Sequence, residues 1–252
     1  MFDLTGKRAL VTGSSRGIGA EIAIGLATQG ADVCIHFAGS RESAEQTAAQ
    51  VRRLGRSAGT VKGDISDPEA PASIVKNAEQ SLGGPINLLV INAAIQTPQE
   101  FLEIDQQTAR HQFDANLYGT LGLIQTVLPQ MKAAQAGRIV TIGSVQQWRP
   151  HPQMLVYAAL KSGMENLVRN LAVQLGPYGI TINNVAPGAI ATDRNNAALS
   201  DDAYRAKVEG NIPLGRIGTP QECAGVVAML CSEAGDYITG ADIPVDGGMR
   251  LG

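Results

Sequence analysis

The stretch Arg8-Ala9-Leu10-Val11-Thr12-Gly13-Ser14-Ser15-Arg16-Gly17-Ile18-Gly19 decides the fold. A short run of strand character enters a turn with glycines at 13, 17 and 19, and a helical pattern from about Gly17 to Gln29 follows at once. A strand whose glycine-rich turn opens a helix is the start of a β-α-β unit. Outward from this unit the same alternation repeats. Strands are expected at Asp32–Phe37, near Thr60-Val61, and at Asn87–Ile91, Arg138–Ile142, Thr181–Val185 and Ala241–Val245. Helices are expected over about Glu42–Leu54, Glu69–Leu82, Asp105–Met131, Met154–Leu175 and Gln221–Cys231, with a polar helical segment at about Asp201–Glu209. The strands are mostly apolar, as parallel strands are when helices cover both faces. Strict alternation predicts one α/β domain over residues 1–252, a doubly wound parallel sheet of about seven strands with helices on both faces. Pro244 marks the last strand as an edge or a strand end.

Composition narrows the class. Of 252 residues, 44% are hydrophobic and 17% charged, enough for a substantial core and too apolar for a disordered chain. No apolar run approaches the ~18–20 residues of a membrane span, and the first eight residues lack the apolar stretch of a signal peptide. The net charge is −3 with Lys and Arg scattered, which argues against nucleic acid as a partner. Cys34, Cys223 and Cys231 show no metal-ligand spacing and cannot all pair with one another. They read as inert thiols in a reducing compartment, so the cytoplasm is the expected location and no metal is expected.

The glycine turn points to a phosphate. Its Gly-x-x-x-Gly-x-Gly spacing differs from the common dinucleotide fingerprint, and an ordinary turn would also use glycine. Its place between the first strand and the first helix favours nucleotide binding, with Gly13, Ser15, Arg16, Gly17, Ile18 and Gly19 around a pyrophosphate. The acid that would hold a ribose 2′-hydroxyl is absent: Phe37 stands about 20 residues on, and no carboxylate occurs from Val33 through Arg41. Arg16, Ser40 and Arg41 instead offer donors to a 2′-phosphate, unless the two arginines are simply solvated. The balance favours NADP(H) over NAD(H).

Ser144, Tyr157 and Lys161 carry the chemistry. Tyr157 and Lys161 are four apart on an expected helix and share a face. A tyrosine ionises at about pH 10, and a neighbouring ammonium favours the phenolate. Ser144 follows the fifth strand, where an open α/β sheet places its ligands.

With these residues in view, the whole chain resembles the classical short-chain dehydrogenase/reductase family, whose fold is Rossmann-like. Thr12 to Gly19 resembles its cofactor loop, and Asp64 with Ile65 its adenine-contacting segment. Asn92-Ala93-Ala94 is similar to its Asn-Ala-Gly motif, with Ala94 in place of glycine. Pro187, Gly188, Ile190 and Thr192 match the stretch beside the nicotinamide, and residues 193–210 a substrate lid that includes Arg194. The resemblance implies hydride transfer between nicotinamide and a carbinol or carbonyl carbon. In it Tyr157 is the general acid or base, Lys161 lowers the Tyr157 pKa and holds the ribose, Ser144 orients the substrate oxygen, and Asn116 anchors a relay water. It also implies a homotetramer, with a dimer as the alternative.

The substrate is a small molecule whose identity is left to the loops. Gln96, Gln146 and Gln147 offer amides suited to a hydroxyl-rich ligand, and Trp148 is either a pocket wall or a packing anchor. A secondary alcohol or ketone, such as a polyol, sugar or hydroxylated ketone, is the leading reading. A 3-oxoacyl-(acyl-carrier-protein) reductase is the runner-up. That branch tends to carry a basic residue where Val173 follows Leu171-Ala172. A non-catalytic dinucleotide-binding protein would not need the full set of Asn116, Ser144, Tyr157 and Lys161.

Overall fold

Ala9 and Val11 face one way from the first strand and Leu10 the other, and this alternation builds two cores. In the computed structural model, which describes residues 1–193, 195 and 200–251, seven parallel strands form one sheet. They are β1 (Arg8–Val11), β2 (Asp32–Phe37), β3 (Ala58–Lys62), β4 (Leu88–Ile91), β5 (Gly137–Ile142), β6 (Ile180–Pro187) and β7 (Asp242–Val245). On one face α1 (Gly17–Thr28), α2 (Arg41–Arg53) and α8 (Pro220–Cys231) bury Ile22, Leu26, Val51 and Val227 against Val33, Ile35 and Val140. On the other, α3 (Ala70–Leu82), α5 (Gly119–Ala134) and α6 (Leu155–Leu175) bury Ile74, Leu123 and Val168 against Leu10, Leu89 and Ile182. Cys34, Cys223 and Cys231 are buried and free.

The strand order is β3-β2-β1-β4-β5-β6-β7. The chain runs outward from β1 to β3, then returns to lay β4 on the other side of β1. That reversal opens a crevice at the carboxyl ends of β1 and β4, the place where doubly wound sheets bind ligands. Val11 pairs with Val90 there, so the glycine turn and residues 92–100 leave the sheet side by side. Pro244 lies in β7 at the sheet edge, where its missing N–H costs no ladder bond.

One element departs from the sequence pattern. The expected helix from Asp105 to Met131 is broken into α4 (Gln106–Phe113), a π-helical turn at Asp114–Tyr118, and α5. A single wide turn leaves the apolar spacing nearly intact, so periodicity does not reveal it, and such turns concentrate at functional sites. This one carries Asn116. A short helix, α7 (Asp202–Glu209), capped by Asp201, precedes α8, and no helix among the described residues is long and apolar enough to cross a membrane.

Candidate active site

The glycine turn is held from behind. Gly13 and Gly17 take φ of +62° and +60°, a region closed to most side chains, and a Cβ at Gly19 would collide with the Asn92 amide and the Gly13 carbonyl. The Thr12 hydroxyl accepts the N–H groups of Asn92 and Ala93, each at 3.0 Å. Asn92 Nδ2 donates to the carbonyls of Thr12 and Gly13, again at 3.0 Å. Asn92 is therefore a brace for the turn, its amide hydrogens spent on the loop rather than offered to a cofactor. Arg16 at the start of α1 makes no side-chain cap and the first turn holds no acid, so the helix N-terminus meets the crevice with its N–H groups uncapped by any side chain. A cradle that tolerates no Cβ and a positive helix end fit the pyrophosphate of a dinucleotide.

A brace that sequence reasoning missed is His36. Its Nδ1 accepts the Gly13 N–H at 3.1 Å, which leaves the proton on Nε2 to donate to the Gly63 carbonyl at 3.1 Å. Burial holds the imidazole neutral and lowers its pKa from 6.5 to about 4. The next residue, Phe37, is only 4% exposed, its ring packed in the core on the β2 face that carries Val33 and Ile35. It backs a cleft of about 280 Å³ lined also by Gly39, Arg41, Thr60 and Lys62. Lys62 pairs with Phe37 across the sheet, a neighbour visible only once β3 lies beside β2. The Ser40 hydroxyl is committed to capping α2 through the Ser43 N–H, and Asp64 accepts the N–H and hydroxyl of Ser66 at 2.9 and 2.7 Å. Those bonds hold the Asp64 carboxyl below its usual pKa. Ile65 beside it is buried, Ser15 lends its carbonyl to Thr47, and Arg16 and Arg41 are exposed.

The structure brings the four catalytic candidates to the ends of β4, β5 and α6. Lys161, 2% exposed, donates from Nζ to the Ile142 carbonyl at 2.6 Å, and its ammonium lies 5.5 Å from the centroid of the buried Tyr157 ring. Ile142 ends β5 two residues before Ser144, so the lysine holds that strand exit from α6. Ser144 Oγ accepts the Gln146 N–H at 3.2 Å, which leaves the hydroxyl proton free to donate. Asn116 binds Ile95 with both ends of its side-chain amide, accepting the N–H at 2.9 Å and donating to the carbonyl at 2.7 Å. The Asn116 main-chain carbonyl accepts the Thr120 hydroxyl at 2.9 Å.

Below Ser144, Pro187 ends β6 and Gly188 donates to Val245 at 3.0 Å, where a Cβ would press on the backbone of Asp246. Ile190 is buried, and Thr192 reaches across so that a Cβ at Gly17 would be 3.6 Å from its methyl. Arg194 and residues 196–199 of the expected lid lie outside the described residues.

The substrate side corrects one assignment. Gln147 does not offer its amide to a ligand: its Oε1 accepts from Ser144 N–H and Asn184 Nδ2, each at 3.3 Å, and its Nε2 donates to Asp242 and Glu165. Burial pushes the Asp242 carboxyl up, with Glu165 adding and the Asn184 hydrogen bond opposing. Trp148 is partly exposed with the Arg250 guanidinium 5.3 Å from its ring centroid, and Gln146 and Gln96 are half-buried beside the serine loop and the β4 loop. Ala94 is half-buried in the same β4 loop. Two glutamines that the sequence did not mark join those loops: Gln99 N–H donates to the Gln153 carbonyl at 2.9 Å, and Gln153 Nε2 to Glu100 at 3.1 Å.

With a Gly-cradle at the switch point and Lys161 beside Tyr157 at the end of β5, a family model described as enoyl-(acyl carrier protein) reductase matches residues 13–250. The chain is a classical short-chain dehydrogenase/reductase. It is 37% identical over 249 residues to an L-rhamnose 1-dehydrogenase (NAD(P)(+)) of Sphingomonas sp. strain SKA58, covering 98% of each chain. It is 36% identical over 245 residues to a 3-oxoacyl-(acyl-carrier-protein) reductase of Staphylococcus epidermidis, covering 97% of this chain and 99% of the other. A gluconate 5-dehydrogenase from Burkholderia cenocepacia J2315, solved with NADP and tartrate, superposes with a TM-score of 0.92 at 33% identity, covering 100% of this chain and 98% of that one. This short-chain dehydrogenase/reductase is an NAD(P)-dependent oxidoreductase acting on the alcohol/ketone pair.

Proposed function

We propose that this enzyme is an NADP(H)-preferring oxidoreductase of a hydroxylated ketone, polyol or sugar derivative. The observation that carries the substrate reading is the polar character of the two loops flanking Ser144, joined by the Gln153–Glu100 side-chain bond and carrying the half-buried amides of Gln96 and Gln146, where an acyl chain would want apolar walls. The bound cofactor supplies or accepts the hydride. Tyr157 gives its phenolic proton to the substrate oxygen in reduction and takes it back in oxidation, and the Lys161 ammonium favours the phenolate between these steps. The Ser144 hydroxyl, already accepting from Gln146, donates to the same oxygen and stabilises developing alkoxide charge. Gly13, Gly17 and Gly19 admit the pyrophosphate, and Pro187 to Thr192 bound the nicotinamide side.

Arg41 and Lys62 in the cleft beside β2, with Arg16 across the turn, support a 2′-phosphate, and no acid lines that cleft. Glu45 binds Thr60 at its back, but is paired with Arg52 at 3.4 Å. The carrier-protein reading keeps one argument, the 36% identity across nearly the whole chain. Val173, 80% exposed on α6, leaves that position without the cation an acidic carrier would meet. Exposed Phe113, Tyr118 and Leu155 support a homotetramer, with a dimer as the alternative, and three buried free thiols suit the cytoplasm. The deciding experiment is a nicotinamide absorbance assay with both cofactors over sugars, polyols, hydroxyketones and 3-oxoacyl thioesters. Faster turnover of the thioesters would overturn the proposal.

A further inference from the structure

Behind Ser144 lies a closed ring of polar side chains that the mechanism above does not use. Asp242 on β7 binds two amides, Oδ1 accepting from Asn184 Nδ2 at 2.7 Å and Oδ2 from Gln147 Nε2. Gln147 Oε1 closes the ring by accepting from Asn184 Nδ2, and it also accepts the Ser144 N–H, both at 3.3 Å. Asn184 Oδ1 takes the Thr141 hydroxyl at 2.6 Å from the strand that leads into the serine. The backbone lies directly on these amides: a Cβ at Gly143 would collide with both. From the other side, Ser162, the residue after Lys161, donates to the Gln147 carbonyl at 3.1 Å, and Glu165 of α6 reaches Gln147 Nε2 at 3.4 Å while paired to Arg169 at 2.9 Å. Gln147 thus touches the serine loop, β6, β7 and the helix that carries Tyr157 and Lys161.

We infer that Gln147, Asn184 and Asp242 form a positioning network that sets Ser144 in register with Tyr157 and Lys161. None of the three meets the substrate. Each donor in the ring faces an acceptor, so orientation is fixed by hydrogen-bond polarity: the carboxylate can only accept, which turns the Gln147 nitrogen toward β7 and its oxygen toward the Ser144 N–H. Removing the carboxylate lets the amide turn over, and the serine loses the acceptor that holds its main chain.

The inference rests on the oxidoreductase reading, and its test uses that polarity. In Asp242→Asn the new amide nitrogen sets a donor against a donor, at Gln147 Nε2 or at Asn184 Nδ2. In Gln147→Leu the Ser144 N–H loses its acceptor. Each should lower kcat about tenfold or more on whichever carbonyl the wild type reduces, with the NADPH Kd changed by less than about twofold. Amide hydrogen exchange at Ser144 should quicken in both. The exchanged pair Asp242→Asn with Gln147→Glu, made together with Glu165→Gln because Gln147 Nε2 also donates to Glu165, sets a donor against an acceptor at each contact of the ring, so kcat should return to within about threefold of wild type. Unchanged kcat and unchanged Ser144 exchange in the single variants would overturn the network. Parallel loss of cofactor affinity and folding that the exchanged pair does not reverse would reduce it to general packing, and also overturns it. If the wild type reduces no carbonyl, the oxidoreductase reading fails, and Ser144 exchange alone then decides the network.

Discussion

The cofactor side and the substrate side of the crevice are built from different materials. The cofactor side is made of main chain: glycines at positive φ, an uncapped helix end, and loop carbonyls held by Thr12 and Asn92. The substrate side is braced by side chains that meet across large sequence separations, such as Gln147 with Asp242 behind Ser144 and Gln153 with Glu100 between the loops. Backbone sites are dictated by local spacing. Side-chain sites depend on which residues the fold makes neighbours, so the first is readable from sequence and the second is not.

The sharpest way to separate the two sides is Tyr157→Phe. It deletes the proton donor and keeps the ring that packs at the end of α6. General acid–base catalysis contributes ~10²–10⁴-fold, and kcat should fall by at least that range while NADPH titrates as before. A variant that keeps most of its turnover would break the division. The complementary cut is Gly19→Ala, where the new methyl meets Asn92 and the Gly13 carbonyl. Overpacking of this kind costs roughly 1–3 kcal/mol, and it should appear as weaker NADPH binding in fluorescence titration, on the order of tenfold or more.

What was legible follows the same line. The parallel sheet was legible because apolar strands alternate with helical patterns, and the glycine turn because its place after β1 admits few alternatives. Ser144, Tyr157 and Lys161 were legible because two of them share a helix face and the third follows the end of a strand by two residues. The π-turn at Asn116 was hidden because one extra residue barely disturbs the helical period. Gln147 was misassigned because nothing near it in sequence shows that Asp242, 95 residues on, takes its amide. Lys62 was missed because its neighbour Phe37 is two strands' pairing away from being local.

Lys62 supplies the next test. Arg41→Ala with Lys62→Ala removes both cations from the cleft beside β2. Charge-assisted phosphate contacts at such a rim should be worth about tenfold in the NADPH KM, with NADH unchanged. These side chains make a cleaner probe than Phe37→Asp, which would place a carboxylate in the core position of a ring only 4% exposed. Equal effects on both cofactors would remove the 2′-phosphate argument.

The smallest expected effect tests whether the backbone-built side has a side-chain dependence of its own. His36 accepts the Gly13 N–H only while neutral, and burial lowers its pKa from 6.5 to about 4. Between those values the unfolded chain binds a proton that the folded chain refuses, so stability is full above pH 6.5 and declines as pH falls toward 4. From pH 7 to 5.5 the loss should be roughly 1 kcal/mol, approaching roughly 3 kcal/mol near pH 4. Asp64, whose carboxyl Ser66 holds below the usual 3.8, loses its contribution in the same direction but lower down, which keeps the two windows apart. His36→Asn retains an acceptor for Gly13 and cannot be protonated. Its urea midpoint should start lower at pH 7, because the bond to Gly63 is gone, and then stay flat where the wild type falls. NADPH affinity of the folded wild type should instead hold steady until the pH nears 4, where His36 itself takes a proton and releases the Gly13 N–H. Identical pH slopes in the two proteins would assign the acid sensitivity to another group and leave the glycine turn dependent on backbone alone.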